Sequence, residues 1–234
     1  KNGEMALNLY KSLGMDIASI IQDKNHSTGV AGIMVNEKTG DNAINIIPGA
    51  AGTLTNDDIE KNLNFISNTD IFLTQLETPY DVTKYALKKA KENKLTTILN
   101  PAPACQINDD DFKLIDFFTP NETEAEFYLN KKIETEKDIK IASEEFLKKG
   151  IKNIVITLGE KGCYFANDKE NFFMNAFKLK EPVVDTTGAG DAFNGALAVG
   201  LSKNLDIKEV LTFANKVGAC LLYTSPSPRD LLGS

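Results

Sequence analysis

The run Asp185-Thr186-Thr187-Gly188-Ala189-Gly190-Asp191-Ala192-Phe193-Asn194-Gly195 sets an acidic residue after a small-residue turn, at the head of an amphipathic helix. Gly188 and Gly190 permit a tight turn and let a ligand approach the backbone amides closely. The helix start adds N–H groups without intrahelical acceptors and the positive end of its dipole, which together attract an anion. Asp191 stands beside that anion site as a carboxylate able to accept a proton. An anion hole with a base next to it is what phosphoryl transfer to a hydroxyl requires. The same residues also suit an ordinary helix start, with Asp191 favoured by the dipole. No Walker loop is present, and Phe193 stands where a dinucleotide-binding fingerprint needs its third glycine.

Three further strings carry polar groups to the ends of apolar segments. Thr119-Pro120-Asn121-Glu122-Thr123-Glu124-Ala125-Glu126 reads as a helix with a polar cap and an acidic first turn. Ile156-Thr157-Leu158-Gly159-Glu160-Lys161-Gly162 reads as a strand ending in a glycine turn. Glu77, in Gln75-Leu76-Glu77, closes an apolar strand, where its carboxylate can accept hydrogen bonds from hydroxyls. Asn215 reads as a polar residue on a helix face, and His26 as a lone exposed histidine.

Periodicity and punctuation supply the elements that must position these groups. Strands are expected over 71–76, 96–100, 117–119 and 154–158, and helices over 80–93, 122–129, 139–149, 191–201 and 206–219. Hairpins are expected over 29–47, turning at 37–41, and over 163–177. Asp206 with Glu209 resembles a capping box for the last helix. Strands alternating with helices imply a mainly parallel sheet covered on both faces, with ligands beyond the carboxyl ends of the strands. Glu77, Asn100, Asn121, Thr157 with Gly159, and Asp185 all fall at such ends, so one cleft is expected to collect them. No linker divides the 234 residues, which read as one domain with a small β appendage.

The composition is that of a water-soluble globular protein, 42% hydrophobic and 25% charged. A formal net charge of −7 argues against a nucleic-acid or anionic-membrane surface. No apolar run reaches membrane-span length and no signal peptide is visible. Cys105, Cys163 and Cys220 lack metal-binding spacing and read as thiols in a reducing cytoplasm.

Asp185-Thr186-Thr187-Gly188-Ala189-Gly190-Asp191-Ala192-Phe193 resembles, without a mismatch, the D-T-T-G-A-G-D-x-F signature of the ribokinase, or PfkB-like, family of sugar kinases. The resemblance implies a three-layer α/β/α fold with a mainly parallel sheet and a small β lid, incomplete here. It implies ATP-dependent phosphorylation of a sugar, with ribose and its 5-phosphate favoured over fructose, a deoxy-sugar acid or a nucleoside. Asp191 is then the base, and the amides of Gly188, Ala189 and Gly190 hold the transferring phosphoryl group. Asp185 and Thr187 form half of a monovalent-cation site for K+. Asn121 and Glu124 place the nucleotide phosphates and hydrated Mg2+. Thr157, Gly159, Gly162 and Asn215 border the nucleotide, and Glu77 binds the sugar. The string Asn100-Pro101-Ala102-Pro103-Ala104 adds to the likeness, whereas Ala51 replaces an asparagine of the family pattern. The family often pairs through its lid sheets, so a homodimer is expected.

Both ends depart from the family pattern. Its first strands, much of its lid and its G-G-K/N-type sugar motif have no counterpart before Gly29, and the resemblance covers residues 3–219. The kinase domain is therefore read as 1–219, truncated at its start, and the literal chain is expected to be inactive. Residues 220–234 resemble an in-frame translation of a sequencing-library adapter, and are read as a non-native tail. The alternative is a natural Ser/Pro-rich tail.

Overall fold

The computed structural model describes residues 2–35, 42–178 and 187–224. A helix α1 (Asn2–Ser12) leads to the antiparallel hairpin of β1 (Thr28–Val35) and β2 (Asn42–Gly49). Two short helices follow, α2 (Asn56–Lys61) and α3 (Leu63–Ser67). The alternating part then runs β3 (Ile71–Thr74), α4 (Tyr80–Glu92), β4 (Thr96–Leu99), β5 (Phe117–Phe118), α5 (Glu122–Leu129), α6 (Glu136–Lys148) and β6 (Asn153–Thr157). A second hairpin, β7 (Cys163–Asn167) and β8 (Asn171–Met174), precedes α7 (Ala189–Ser202) and α8 (Ile207–Thr224). The hairpin turn expected at 37–41, Asp185 and residues 225–234 lie outside the described residues, while α8 runs through Cys220 to Thr224.

Strands β3 to β8 form one sheet in sequence order. The pairs from β3 to β6 are parallel, and those joining β6, β7 and β8 are antiparallel. Side chains alternate across each strand, and the alternation sorts them into two cores. Leu99, Phe118, Ile154, Ile156 and Tyr164 pack with Leu87 of α4, Ala125 of α5 and Phe146 of α6. Ile98, Phe117, Val155, Cys163 and Phe165 pack with Phe193 and Leu197 of α7 and Leu211 of α8. The result is a three-layer α/β/α domain.

The helices form where their apolar spacing and caps agree. In α4, the buried Val82, Thr83, Ala86, Leu87 and Ala90 recur at three- and four-residue steps and make one stripe. Thr135 and Asp138 form a capping box at the start of α6, and Gly150 (φ 102°) follows its C-terminus. At α8 the Asp206 carboxylate accepts the Lys208 N–H at 2.9 Å. The boxes among the described residues stand instead at Thr55, Asn121 and Thr135.

The hairpin β1–β2 forms its own two-stranded sheet, with Val30, Met34, Ile46 and Ile47 exposed. No helix among the described residues is long and apolar enough to cross a membrane.

Candidate active site

Parallel strands β3 to β6 point their carboxyl ends the same way, and the loop after β3 and the end of β5 meet the start of α7. Gly188 takes the left-handed conformation (φ 81°, ψ −4°), which favours glycine, and its carbonyl accepts the Ala192 N–H at 2.9 Å. That bond opens the helical ladder, so the amides of Ala189, Gly190 and Asp191 lie ahead of it. A Cβ at Gly190 would meet nothing within 4 Å, which leaves this turn open to an approaching group.

Asp191 is exposed in the first turn of α7. Its Oδ1 accepts a hydrogen bond of 2.7 Å from Nε2 of Gln75, which follows β3. Leu76 donates its N–H to the Ala102 carbonyl (2.9 Å), fixing this loop against the one after β4. Glu77 is exposed on the same loop, two residues beyond Gln75. Thr187 lies in the turn before α7, whereas its companion in the expected cation site, Asp185, is outside the described residues.

The next strand ends build a second corner. Asn121 caps α5: its Oδ1 accepts the Glu124 N–H, and Glu124 Oε2 accepts the Asn121 N–H, both at 2.8 Å. Burial pushes the Glu124 carboxyl above its ordinary range, and the Asn121 N–H offsets part of that rise. Thr157 lies beside Asn121 in a parallel bridge and donates its N–H to Pro120 at 2.9 Å. Among the described residues, no group of three or more His, Cys, Asp or Glu side chains is placed to hold a metal. A lone desolvated carboxylate such as Glu124 still fits a hydrated Mg2+, which keeps most of its water and binds through few protein groups.

The turn after β6 separates two kinds of glycine. Gly159 (φ 55°) has open space where a Cβ would stand. At Gly162 (φ 102°) a Cβ would come within 2.0 Å of the Met174 carbonyl oxygen, so the hairpin itself demands glycine there. Asn215 of α8 donates from Nδ2 to Cys163 Sγ at 3.5 Å, and Cys163 pairs in register with Thr157. Asn215 therefore borders the same turn. Burial pushes the Cys163 thiol up to about 11, which makes it an inert packing group.

Sequence reasoning passed over three residues. Gln75, in the same string as the favoured Glu77, is the residue that, among the described residues, hydrogen-bonds the Asp191 side chain. Thr119 and Asn194 are both buried, and Thr119 Oγ1 donates to Asn194 Oδ1 at 2.7 Å. The available signal was a polar residue on the apolar face of α7, between Phe193 and Ala196. His26 is exposed and pairs with Asp23 at 2.8 Å. The Asn25 N–H and the His26 ring hold the Asp23 carboxyl down at about 2.

The sequence profile described as pfkB family carbohydrate kinase matches residues 1–227. The chain is 37% identical over 211 residues to the ribokinase of Staphylococcus aureus, covering 90% of this chain and 68% of that protein. The crystal structure of a ribokinase from Thermotoga maritima superposes with a TM-score of 0.83 at 34% identity, covering 98% of this chain and 73% of that one. The ribokinase of Arabidopsis thaliana, solved with ribose and ATP, gives a TM-score of 0.73 at 27% identity, over 93% of this chain and 78% of that one.

Proposed function

The chain belongs to the pfkB family of carbohydrate kinases, and is of the ATP-dependent sugar kinase class; on that premise we propose that it serves a ribokinase reaction, D-ribose to D-ribose 5-phosphate. The observation that carries the reading is the 2.7 Å bond between Gln75 and Asp191. It joins the loop after β3, where Glu77 is the proposed sugar ligand, to the turn proposed to hold the transferring phosphoryl group. The names and ligands of the Staphylococcus and Arabidopsis ribokinases support the choice of ribose and ATP.

In this reading Asp191 accepts the proton of the ribose 5-hydroxyl as its oxygen bonds to the γ-phosphorus. The bond from that phosphorus to the β–γ bridging oxygen breaks, and ADP leaves. The amides of Gly188, Ala189 and Gly190, with the dipole of α7, stabilise the charge that develops on the phosphoryl oxygens. Transfer depends mainly on alignment and electrostatics, so Asp191 need not be a strong base. Asn121 and Glu124 orient the triphosphate, and Thr157, Gly159, Gly162 and Asn215 border the nucleoside. Asn121 and Glu124 would hold Mg2+ through its water, and the ion would neutralise charge on the triphosphate. K+ is assigned to Asp185 and Thr187. The exposed apolar Val30, Met34, Ile46 and Ile47 support pairing of two copies through the hairpin, and the free thiols Cys105 and Cys163 support a reducing, cytoplasmic setting.

A phosphorylation assay with ribose, 2-deoxyribose, fructose and a nucleoside, run beside calorimetric titration of the chain with Mg·ATP, tests the reading. ATP binding by this chain is the expected result, and the highest kcat/KM on ribose is expected of a protein extended to the length of the Staphylococcus ribokinase. Absence of both ATP binding and transfer to every acceptor contradicts it, and a preference for another acceptor overturns the choice of ribose.

A further inference from the structure

Asn194 is 3% exposed on the core-facing side of α7, among the apolar Phe193, Ala196 and Leu197. A leucine would fill such a place with no polar group to satisfy. Both ends of the amide are instead bonded. Its Oδ1 accepts the Thr119 hydroxyl at 2.7 Å, and its Nδ2 donates to the Gly190 carbonyl at 2.9 Å. Thr119 is itself 2% exposed, so the link lies out of reach of competing water.

Two geometric consequences follow. The Gly190 carbonyl and the Asp191 N–H belong to one planar peptide group. Holding the carbonyl along α7 turns that N–H toward the helix start, ahead of the hydrogen-bond ladder. Thr119 also ends β5, directly before Pro120 and the Asn121 cap. The same hydrogen bond therefore sets the spacing between the corner at Asn121 and Glu124 and the turn that carries Asp191.

We propose that Asn194, anchored by Thr119, is a positioning residue that orients the anion-binding turn at 188–191 and locks it to the Asn121 corner. This rests on the kinase reading for its consequence in catalysis, but not for its consequence in local structure. Replacing both buried partners by apolar groups of similar shape leaves little unsatisfied, so a purely structural role predicts a nearly silent double change. A positioning role predicts lost turnover in a folded protein.

The test compares the wild type, Thr119→Ser and the double variant Thr119→Val/Asn194→Leu. Unfolding midpoint, kcat, sugar KM and amide exchange of residues 192–195, whose helical acceptors are the first-turn carbonyls, are measured on each. The double variant is expected to unfold within a few degrees of the wild type. Its kcat should fall about tenfold or more with sugar KM within about twofold, and exchange at 192–195 should quicken about tenfold. Thr119→Ser, which keeps the hydroxyl, should restore both. If the double variant does not fold, Thr119→Val alone takes its place. Wild-type kcat and exchange in the folded variant overturn the proposal, as does a kcat loss matched by its unfolded fraction. If the wild-type chain phosphorylates no sugar, exchange at 192–195 alone decides: quickened supports the inference, unchanged overturns it, while Mg·ATP binding tests the kinase reading separately.

Discussion

Asp116 and Asp191 present the same carboxylate at opposite ends of one sheet, and their surroundings differ in kind. Asp116 precedes β5 at the amino ends of the strands and is 6% exposed. Its oxygens take the Lys91 ammonium at 2.8 Å, the Lys152 ammonium at 2.7 Å, and the Thr97 N–H and hydroxyl at 3.0 and 3.1 Å. Burial pushes its carboxyl up, but Lys152, Lys91 and the Thr97 N–H outweigh that and hold it below its ordinary range. Asp191 is exposed beyond the carboxyl ends, where Gln75 is its donor among the described residues. One end of the sheet spends a charge on fastening α4, β4, β5 and β6 together; the other leaves a carboxylate exposed, as the proposed role of Asp191 requires. On the proposed function, stability belongs to the amino ends and chemistry to the carboxyl ends.

The largest effect expected from this division is at Asp191. In the full-length parent enzyme, Asp191→Asn should lower kcat about a thousandfold, about 4 kcal/mol of transition-state stabilisation, with an unchanged thermal midpoint. Steady-state kinetics beside calorimetry checks both halves. Asp116→Ala should do the reverse, costing about 2–3 kcal/mol of stability in denaturant titration because it leaves the buried Thr97 N–H without its acceptor and removes the counter-charge of the half-buried Lys91. Its kcat, read under folding conditions, should stay within about twofold.

Acid sharpens the comparison further. A carboxyl held below its unfolded value of 3.8 contributes stability that is complete above that pH and disappears as pH falls through the lower folded value. The stability gap between wild type and Asp116→Asn should therefore be constant at neutral pH and close progressively below about pH 4. The smallest effect is expected at Glu124, whose carboxyl is raised by burial. Its charge opposes folding above the ordinary value of 4.5 and not below it. Glu124→Gln keeps an acceptor for the Asn121 N–H, so it should slightly raise the neutral-pH midpoint while weakening Mg·ATP binding.

Sequence made the sheet legible because each strand carries its two-faced pattern locally, as in Ile98-Leu99 and Phe117-Phe118. The 122–129 helix is legible for a similar reason, since Asn121 and Glu124 are three residues apart and cap each other. Helices α1, α2 and α3 were not foreseen. Helix α1 buries none of its residues, and its apolar Met5 and Leu9 are exposed, so it gives no inward stripe of the usual kind. At the site, glycines and acids betray themselves by type, whereas Gln75, Thr119 and Asn194 matter through partners 116 and 75 residues away. Only the sheet order brings those pairs together. Gly162 shows the converse: its glycine was legible, but the Met174 carbonyl that demands it was not.

A titration of the isotope-labelled chain with Mg·ATP, followed by backbone amide NMR, tests the central division most directly, because it needs no turnover. The account predicts shift changes concentrated at residues 188–191, 121–124 and 157–159, with Thr97, Asp116 and Asn153 unmoved. Shifts centred on the Asp116 end, or spread evenly over both ends of the sheet, would contradict it.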